Sequence, residues 1–211
     1  MDKGEKKLIC FLLMGIIIGS SILIFKIKSE SEYDEALYDE IYSEYEEILA
    51  KENENYPEED DEKNIVKKDN TIYLNSNSKG EKYRVAGQIN IPKIGVNYPI
   101  VYETSDEYLK IAPTKLFGPD INQPGNVCIV GHNYKNEQFF SRLSELENND
   151  KINLLDNKGK RVSYLVYDKY EVLETDLSCT NQNTNGKIEA TLITCTNKKN
   201  NRLVVKCRAI T

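Results

Sequence analysis

Ala190-Thr191-Leu192-Ile193-Thr194-Cys195-Thr196-Asn197-Lys198-Lys199-Asn200-Asn201-Arg202-Leu203-Val204-Val205 holds two apolar runs separated by a polar turn. The first run, closed by Cys195, reads as a buried strand, and Arg202 opens the second. With Asn197 to Asn200 as a four-residue hairpin loop, Thr196 faces Asn201 and Cys195 faces Arg202. Directly opposed residues lie about 5 Å apart on one sheet face. A thiol beside a fixed cation at a hairpin mouth is a place where a thiolate or an oxyanion is stabilised.

Outward from this hairpin, the chain from about Glu81 repeats the same pattern. Short apolar or alternating runs occur at Val85–Ile91, Val96–Val101, Val127–Val130, Lys151–Leu155, Val162–Val172, Ile188–Cys195 and Arg202–Ile210. Breakers separate them, among them Pro92, Gly95, Pro119, Pro124-Gly125 and Asn157-Lys158-Gly159. Many short strands with frequent turn signals indicate a sandwich or a closed barrel. Two short helices are expected, near Ser105–Lys110 and over Glu137–Leu146. In the second, Phe139, Phe140, Leu143 and Leu146 share a face. There is no internal repeat.

The 211 residues allow one domain plus extras. The formal net charge of −6 argues against a nucleic-acid binder, which carries a basic footprint. Lys3, Lys6 and Lys7 precede an apolar run from Leu8 to Phe25, just long enough to span a bilayer core. Lys26-Ile27-Lys28 follows directly, with no small-residue cleavage site, which favours an uncleaved anchor over a signal peptide. The lysine balance places the N-terminus inside and the body of the chain outside the cytoplasm. About half of residues 29–62 are Asp or Glu, and Leu37, Ile41, Tyr45 and Ile48 recur at helical spacing. This segment is a docking helix, a stalk or a solvated spacer. The expected domains are therefore a cytoplasmic tail and transmembrane anchor over 1–28, an acidic stalk and linker over 29–80, and a β domain over 81–211.

Five cysteines and a single histidine bound the chemistry. None of the cysteines has CxxC spacing, so no metal site is expected. Cys128 and His132 share a strand face but lie about 13 Å apart at about 3.3 Å per residue, too far for a direct pair. Cys207 falls opposite Ala190 in the hairpin register, too far from Cys195 for a disulfide. Cys128 and Cys207 thus read as small core residues. Cys179 reads as a loop thiol, and Cys195 alone sits at a strand end beside a basic residue. On the residues alone, packing and catalysis both account for Cys195, His132 and Arg202. The catalytic reading is coherent: a thiolate attacks a carbonyl, an imidazolium protonates the leaving amine, and a guanidinium donates to the oxyanion.

Thr191-Leu192-Ile193-Thr194-Cys195, followed after six residues by Arg202-Leu203-Val204-Val205, resembles the signature of the sortase family. Gly125-Asn126-Val127-Cys128-Ile129-Val130-Gly131-His132 is similar to its histidine motif, and Ile89-Asn90-Ile91-Pro92-Lys93-Ile94-Gly95-Val96 to its first strand pair. The three come in the family order, and the similarity covers about Glu81 to Thr211. The resemblance implies an all-β fold, a closed eight-stranded barrel with one or two short helices. It implies a Gram-positive cysteine transpeptidase that cleaves an LPxTG-like C-terminal sorting signal of surface proteins between Thr and Gly. An amine of a peptidoglycan precursor, or a pilin lysine, would resolve the thioester. Carried onto this chain, the nucleophile is Cys195, the general acid/base His132 and the substrate-binding arginine Arg202, with Thr194 lining the substrate groove. No cofactor is implied. Some members bind calcium near the loop before the motif strand, but Glu174, Asp176 and Glu189 are too few acids for such a site here. Leu109-Lys110-Ile111-Ala112-Pro113 departs from the family pattern before the histidine motif. Neither an Asp-Pro-aromatic lid nor a second C-terminal span is evident, and the loop before the motif strand is too short for the long class B helix. A class A- or D-like member is expected. The rival readings are a membrane-tethered thiol peptidase and a catalytically inert surface module.

Overall fold

The computed structural model describes residues 82–135 and 137–210, the short strand Tyr73–Asn75, and isolated helical positions at Ser20, Lys26, Ser43 and Glu47. The expected anchor over residues 8–25 and the expected amphipathic segment before Pro57 lie outside the described residues, apart from those isolated positions. Among the described residues no helix is long and apolar enough to cross a membrane. The chain divides by its contacts into Met1–Asp39 and Glu40–Thr211, and the fold described here belongs to the second unit.

Among the described residues nine strands form one sheet: β1 (Tyr73–Asn75), β2 (Lys82–Ile91), β3 (Val96–Val101), β4 (Thr114–Phe117), β5 (Gly125–Val130), β6 (Lys151–Asp156), β7 (Arg161–Leu173), β8 (Ile188–Cys195) and β9 (Asn201–Ala209). Their order is β1-β2-β3-β4-β5-β8-β9-β7-β6, and β6 pairs back onto β2. That pairing closes β2 to β9 into an eight-stranded barrel, so these strands have no long open edge. β1 is an extra strand on β2, inside the stretch expected to be linker. β4 is the other strand absent from the apolar runs. It is only four residues long, and Leu116 and Phe117 on it are exposed.

Alternation along each strand sorts side chains between two cores. Ala190 and Leu192 of β8, Val127 and Ile129 of β5, and Val205 and Cys207 of β9 enter the barrel core with Ile89, Phe140 and Tyr164. The intervening Cys128, Ile193 and Val204 point the other way. There they pack with Cys179 under the β7–β8 connection, with Val130, Tyr170 and Val172 alongside. Cys207 is therefore a barrel-core residue and Cys128 a buried member of the outer cluster. Cys179, expected as a loop thiol, is buried beneath its own loop at 4% exposure.

The two expected helices reduce to 3-10 turns, at Tyr108–Lys110 and Leu143–Glu145. Phe139, Phe140, Leu143 and Leu146 are all buried, as their spacing requires. The backbone between His132 and Phe140 is not helical, however. Glu137 and Phe139 hold left-handed φ values of 65° and 53°, which interrupt a right-handed helix. Phe139 instead bridges back to Asn133, and its ring meets Tyr98 edge-on at 5.1 Å.

Candidate active site

β8 is flanked by β5 on one side and β9 on the other, and the two registers build the site. On the antiparallel side, Cys195 pairs with Arg202. The hairpin is closed by Thr196 N donating to Asn201 O at 3.2 Å, with Asn200 in the left-handed region at φ 63°. On the parallel side, β5 and β8 pair in register from Gly125↔Ile188 to Val130↔Ile193. Continued by two residues, that register sets His132 beside Cys195, about one strand spacing of 4.8 Å away. Three bonds hold this continuation. Gly131 N donates to Ile193 O at 3.1 Å, Thr194 Oγ1 donates to Gly131 O at 2.7 Å, and Asn133 Nδ2 donates to Cys195 O at 2.8 Å. Beyond Arg202, the next residue in the row is Val172 of β7. Cys195, Arg202 and Val172 thus lie across adjacent strands on the outer face of the barrel, and His132 follows the end of β5 on the other side of Cys195.

Cys195 is exposed, whereas Cys128, Cys179 and Cys207 are buried, and all four are free thiols. Burial pushes the Cys128 thiol up to about 11 and raises Cys179 and Cys207 as well, which keeps these three protonated and unreactive. Among the described residues Cys195 is the one exposed cysteine.

His132 is half-buried. Desolvation lowers its basicity below the ordinary 6.5; Asp106 opposes that effect and Lys110 adds to it. The imidazole is therefore neutral near pH 7, able to take the proton of a thiol. Its ring rests 4.8 Å from that of Tyr134, Tyr134 lies 5.7 Å from Phe139, and Tyr98 Oη accepts a bond from Phe139 N. This aromatic chain braces the segment after β5. The neighbouring Gly131 has no room for a side chain, since a Cβ there would meet the buried Phe140 ring at 2.8 Å.

Arg202 donates from Nη2 to Glu174 Oε2 at 2.9 Å and from Nη1 to Asn201 O at 3.2 Å. Arg208, on the same strand, is engaged elsewhere. Its Nε and Nη2 bond Glu189 Oε1 at 2.9 and 2.8 Å, and it stacks on Tyr167. Thr194, expected to line a substrate groove, is 2% exposed, and its hydroxyl is committed to Gly131 O. It forms part of the wall of a cavity of about 340 Å³ beside Cys195, together with Asn133, Ser144, Glu171 and Leu203.

The acids of the β7–β8 connection and the start of β8 do not converge. Glu174 bonds Arg202, Asp176 caps Ser178 N, and Glu189 takes Arg208. Among the described residues no group of three or more His, Cys, Asp or Glu is arranged to hold a metal ion. The same connection is pinned to the barrel by buried Asn126. Its Nδ2 donates to Cys179 O and Asn181 O, and its Oδ1 accepts from Thr191 Oγ1. Lys206 Nζ adds bonds to Cys179 O and Thr191 Oγ1.

Sequence reasoning missed Asn133, and it weighed Glu174 only as a calcium ligand and not as the partner of Arg202. Asn133 is adjacent to His132 and reachable from that motif. Glu174 becomes visible only once the β7–β9 register is known.

A sortase domain family model matches residues 89–210. Sortase A of Bacillus anthracis is 31% identical over 133 residues, which is 60% of this chain and 59% of that protein. The chain thus matches less than two thirds of that relative's length. Among solved structures, a Clostridium perfringens sortase D5 transpeptidase is 26% identical with a TM-score of 0.55, covering 60% of this chain and 79% of that one. A pilus-related sortase C of Group B Streptococcus is 28% identical with a TM-score of 0.55, covering 60% of this chain and 68% of its own. Listeria monocytogenes sortase A, at 23% identity and a TM-score of 0.55, shares the fold over 88% of its length.

Proposed function

This chain belongs to the sortase family, and from that premise we propose that it is a cysteine transpeptidase acting on an LPxTG-like sorting signal. The observation that carries the reading is the exposed Cys195 paired with Arg202 on one side, with the β5–β8 register bringing His132 alongside on the other.

In the proposed reaction, neutral His132 takes the Sγ proton as sulfur attacks the carbonyl carbon of the signal's Thr. Arg202 donates hydrogen bonds to the oxyanion or to the adjacent substrate backbone. Collapse of the tetrahedral intermediate breaks the Thr–Gly C–N bond. The imidazolium gives its proton to the departing Gly amine and leaves a thioester on Cys195. An acceptor amine then loses a proton to His132, attacks the thioester and expels the thiolate. The acceptor is an amine of a peptidoglycan precursor; a pilin lysine is the alternative, supported by the similarity to a pilus-related sortase C. Residues 8–25 anchor the chain in the plasma membrane, N-terminus inside, with the catalytic barrel on the extracellular face.

The test is an LPxTG-type peptide library scored by mass spectrometry, with and without amines. A thioester on Cys195 that partitions to amide when amine is added supports the reading. Cys195→Ala must abolish it. Near-normal turnover by that variant refutes the nucleophile. Hydrolysis unaffected by any amine identifies a thiol peptidase. No acylation by any peptide leaves an inert surface module.

A further inference from the structure

Glu174 sits where the registers would put a partner for Arg202. Val172 pairs with Arg202 across β7 and β9, and Glu174 is two residues further on, so it returns to the same face and lies diagonal to Arg202. The ladder continues that far, because Glu174 N donates to Asn200 O at 2.8 Å. Since β9 runs between β8 and β7, Glu174 approaches Arg202 from the flank opposite Cys195.

The contact is a direct ion pair, Arg202 Nη2 to Glu174 Oε2 at 2.9 Å, with side chains 32% and 41% exposed. A second bond, Nη1 to Asn201 O, holds the other arm at 3.2 Å. Together these engage two of the five guanidinium N–H groups and fix the plane of the fork. The nearby carboxylate of Glu171 cannot substitute. It belongs to the alternate face and accepts from Lys198 Nζ and Asn201 Nδ2. Glu174 is itself held. Asp176 N donates to Leu173 O, Asp176 Oδ1 caps Ser178 N, and the Asn126 bonds pin the loop beyond.

We infer that Glu174 is a positioning residue that holds the Arg202 guanidinium in its working orientation before substrate arrives. The rate consequence rests on the transpeptidase reading; the ordering of Arg202 does not. An arginine side chain carries much rotamer freedom, and a planar fork is useful to an oxyanion only when that freedom has already been lost. Glu174 touches neither substrate nor reacting atoms in this scheme.

The experiment has two readouts on wild type, Glu174→Ala and Glu174→Gln. The first is substrate-free: the NMR order parameter of the Arg202 Nε–H, with Arg208 Nε–H as internal control. The second is single-turnover thioester formation with a sorting peptide. Glu174→Ala should loosen Arg202 but not Arg208. It should slow acylation by about fivefold at saturating peptide, the scale of a half-exposed charged contact, with KM little changed. Glu174→Gln, which keeps an acceptor oxygen, should restore most of both. An unchanged Arg202 signal, a rate unaffected by its loosening, or faster acylation in Glu174→Ala overturns the inference. If wild type acylates no peptide yet Glu174→Ala frees Arg202, the transpeptidase reading fails while the ordering of Arg202 stands.

Discussion

Gly131→Ala should impair catalysis more than it impairs folding. A Cβ on Gly131 would lie 2.8 Å from Phe140 Cδ2 and 2.9 Å from its Cγ. Carbon atoms rest at about 3.5–4.0 Å, so ring and strand must part by roughly 0.7–1.2 Å. Phe140 is fully buried in the barrel core, so it has no open space to retreat into. Overpacking of this kind costs about 1–3 kcal/mol. The displacement is also transmitted. Phe140 N is bonded to His132 O at 3.0 Å, and Gly131 is tied to Ile193 and Thr194 of β8. Whichever side yields, His132 moves relative to Cys195. A misplacement of about 1 Å at a reacting group can cost roughly 10²-fold. Urea unfolding should report the lost stability. Single-turnover thioester formation, measured where the variant is fully folded, should fall by about 10–100-fold. A variant with stability unchanged within about 0.5 kcal/mol and a rate close to wild type would refute the packing argument and the role given to His132's position.

Acidification should weaken the fold through His132, the only histidine. Burial holds its folded-state value below 6.5, so its contribution is complete above 6.5 and is lost as pH falls through the folded value. The urea midpoint should drop on going below about pH 6.5, and His132→Gln should flatten that window; a midpoint that rises there contradicts the burial argument. Arg202→Lys should lose about 10²–10³-fold in acylation, the size of one lost oxyanion donor, because lysine keeps the charge but not the fork. Arg208→Lys, whose native partners are Glu189 and Tyr167, should keep its activity and lose at most about 1 kcal/mol of stability in unfolding experiments. Equal activity of the two lysine variants would remove Arg202 from the chemistry.

The parts of this protein that could be read in one dimension are those governed by alternation. Opposing Cys195 to Arg202 and Cys207 to Ala190 needs only a period of two and a loop length, and both pairings occur. The apolar residues Phe139, Phe140, Leu143 and Leu146 were equally legible as buried. Their backbone was not, because Phe139, left-handed at φ 53°, bridges to Asn133 and packs its ring on Tyr98, a partner too distant in sequence for any local window. The adjacency of His132 and Cys195 was likewise invisible to strand geometry. It comes from the parallel β5–β8 pairing, across more than sixty residues of chain. β4 gave no signal because Leu116 and Phe117 face solvent on a strand too short to alternate.

The eight residues of β8 carry two messages in alternate letters. Ala190 and Leu192 belong to the barrel core, and Ile193 and Cys195 to the opposite face. Inserting or deleting one residue within this strand would exchange the sets, turning Cys195 inward and core side chains outward. Point changes can trade a little stability for a little activity, but a one-residue frame change in β8 cannot. The β7–β8 connection that precedes the strand is free of this constraint, whereas the short hairpin that follows it shares it, because its length sets Cys195 opposite Arg202.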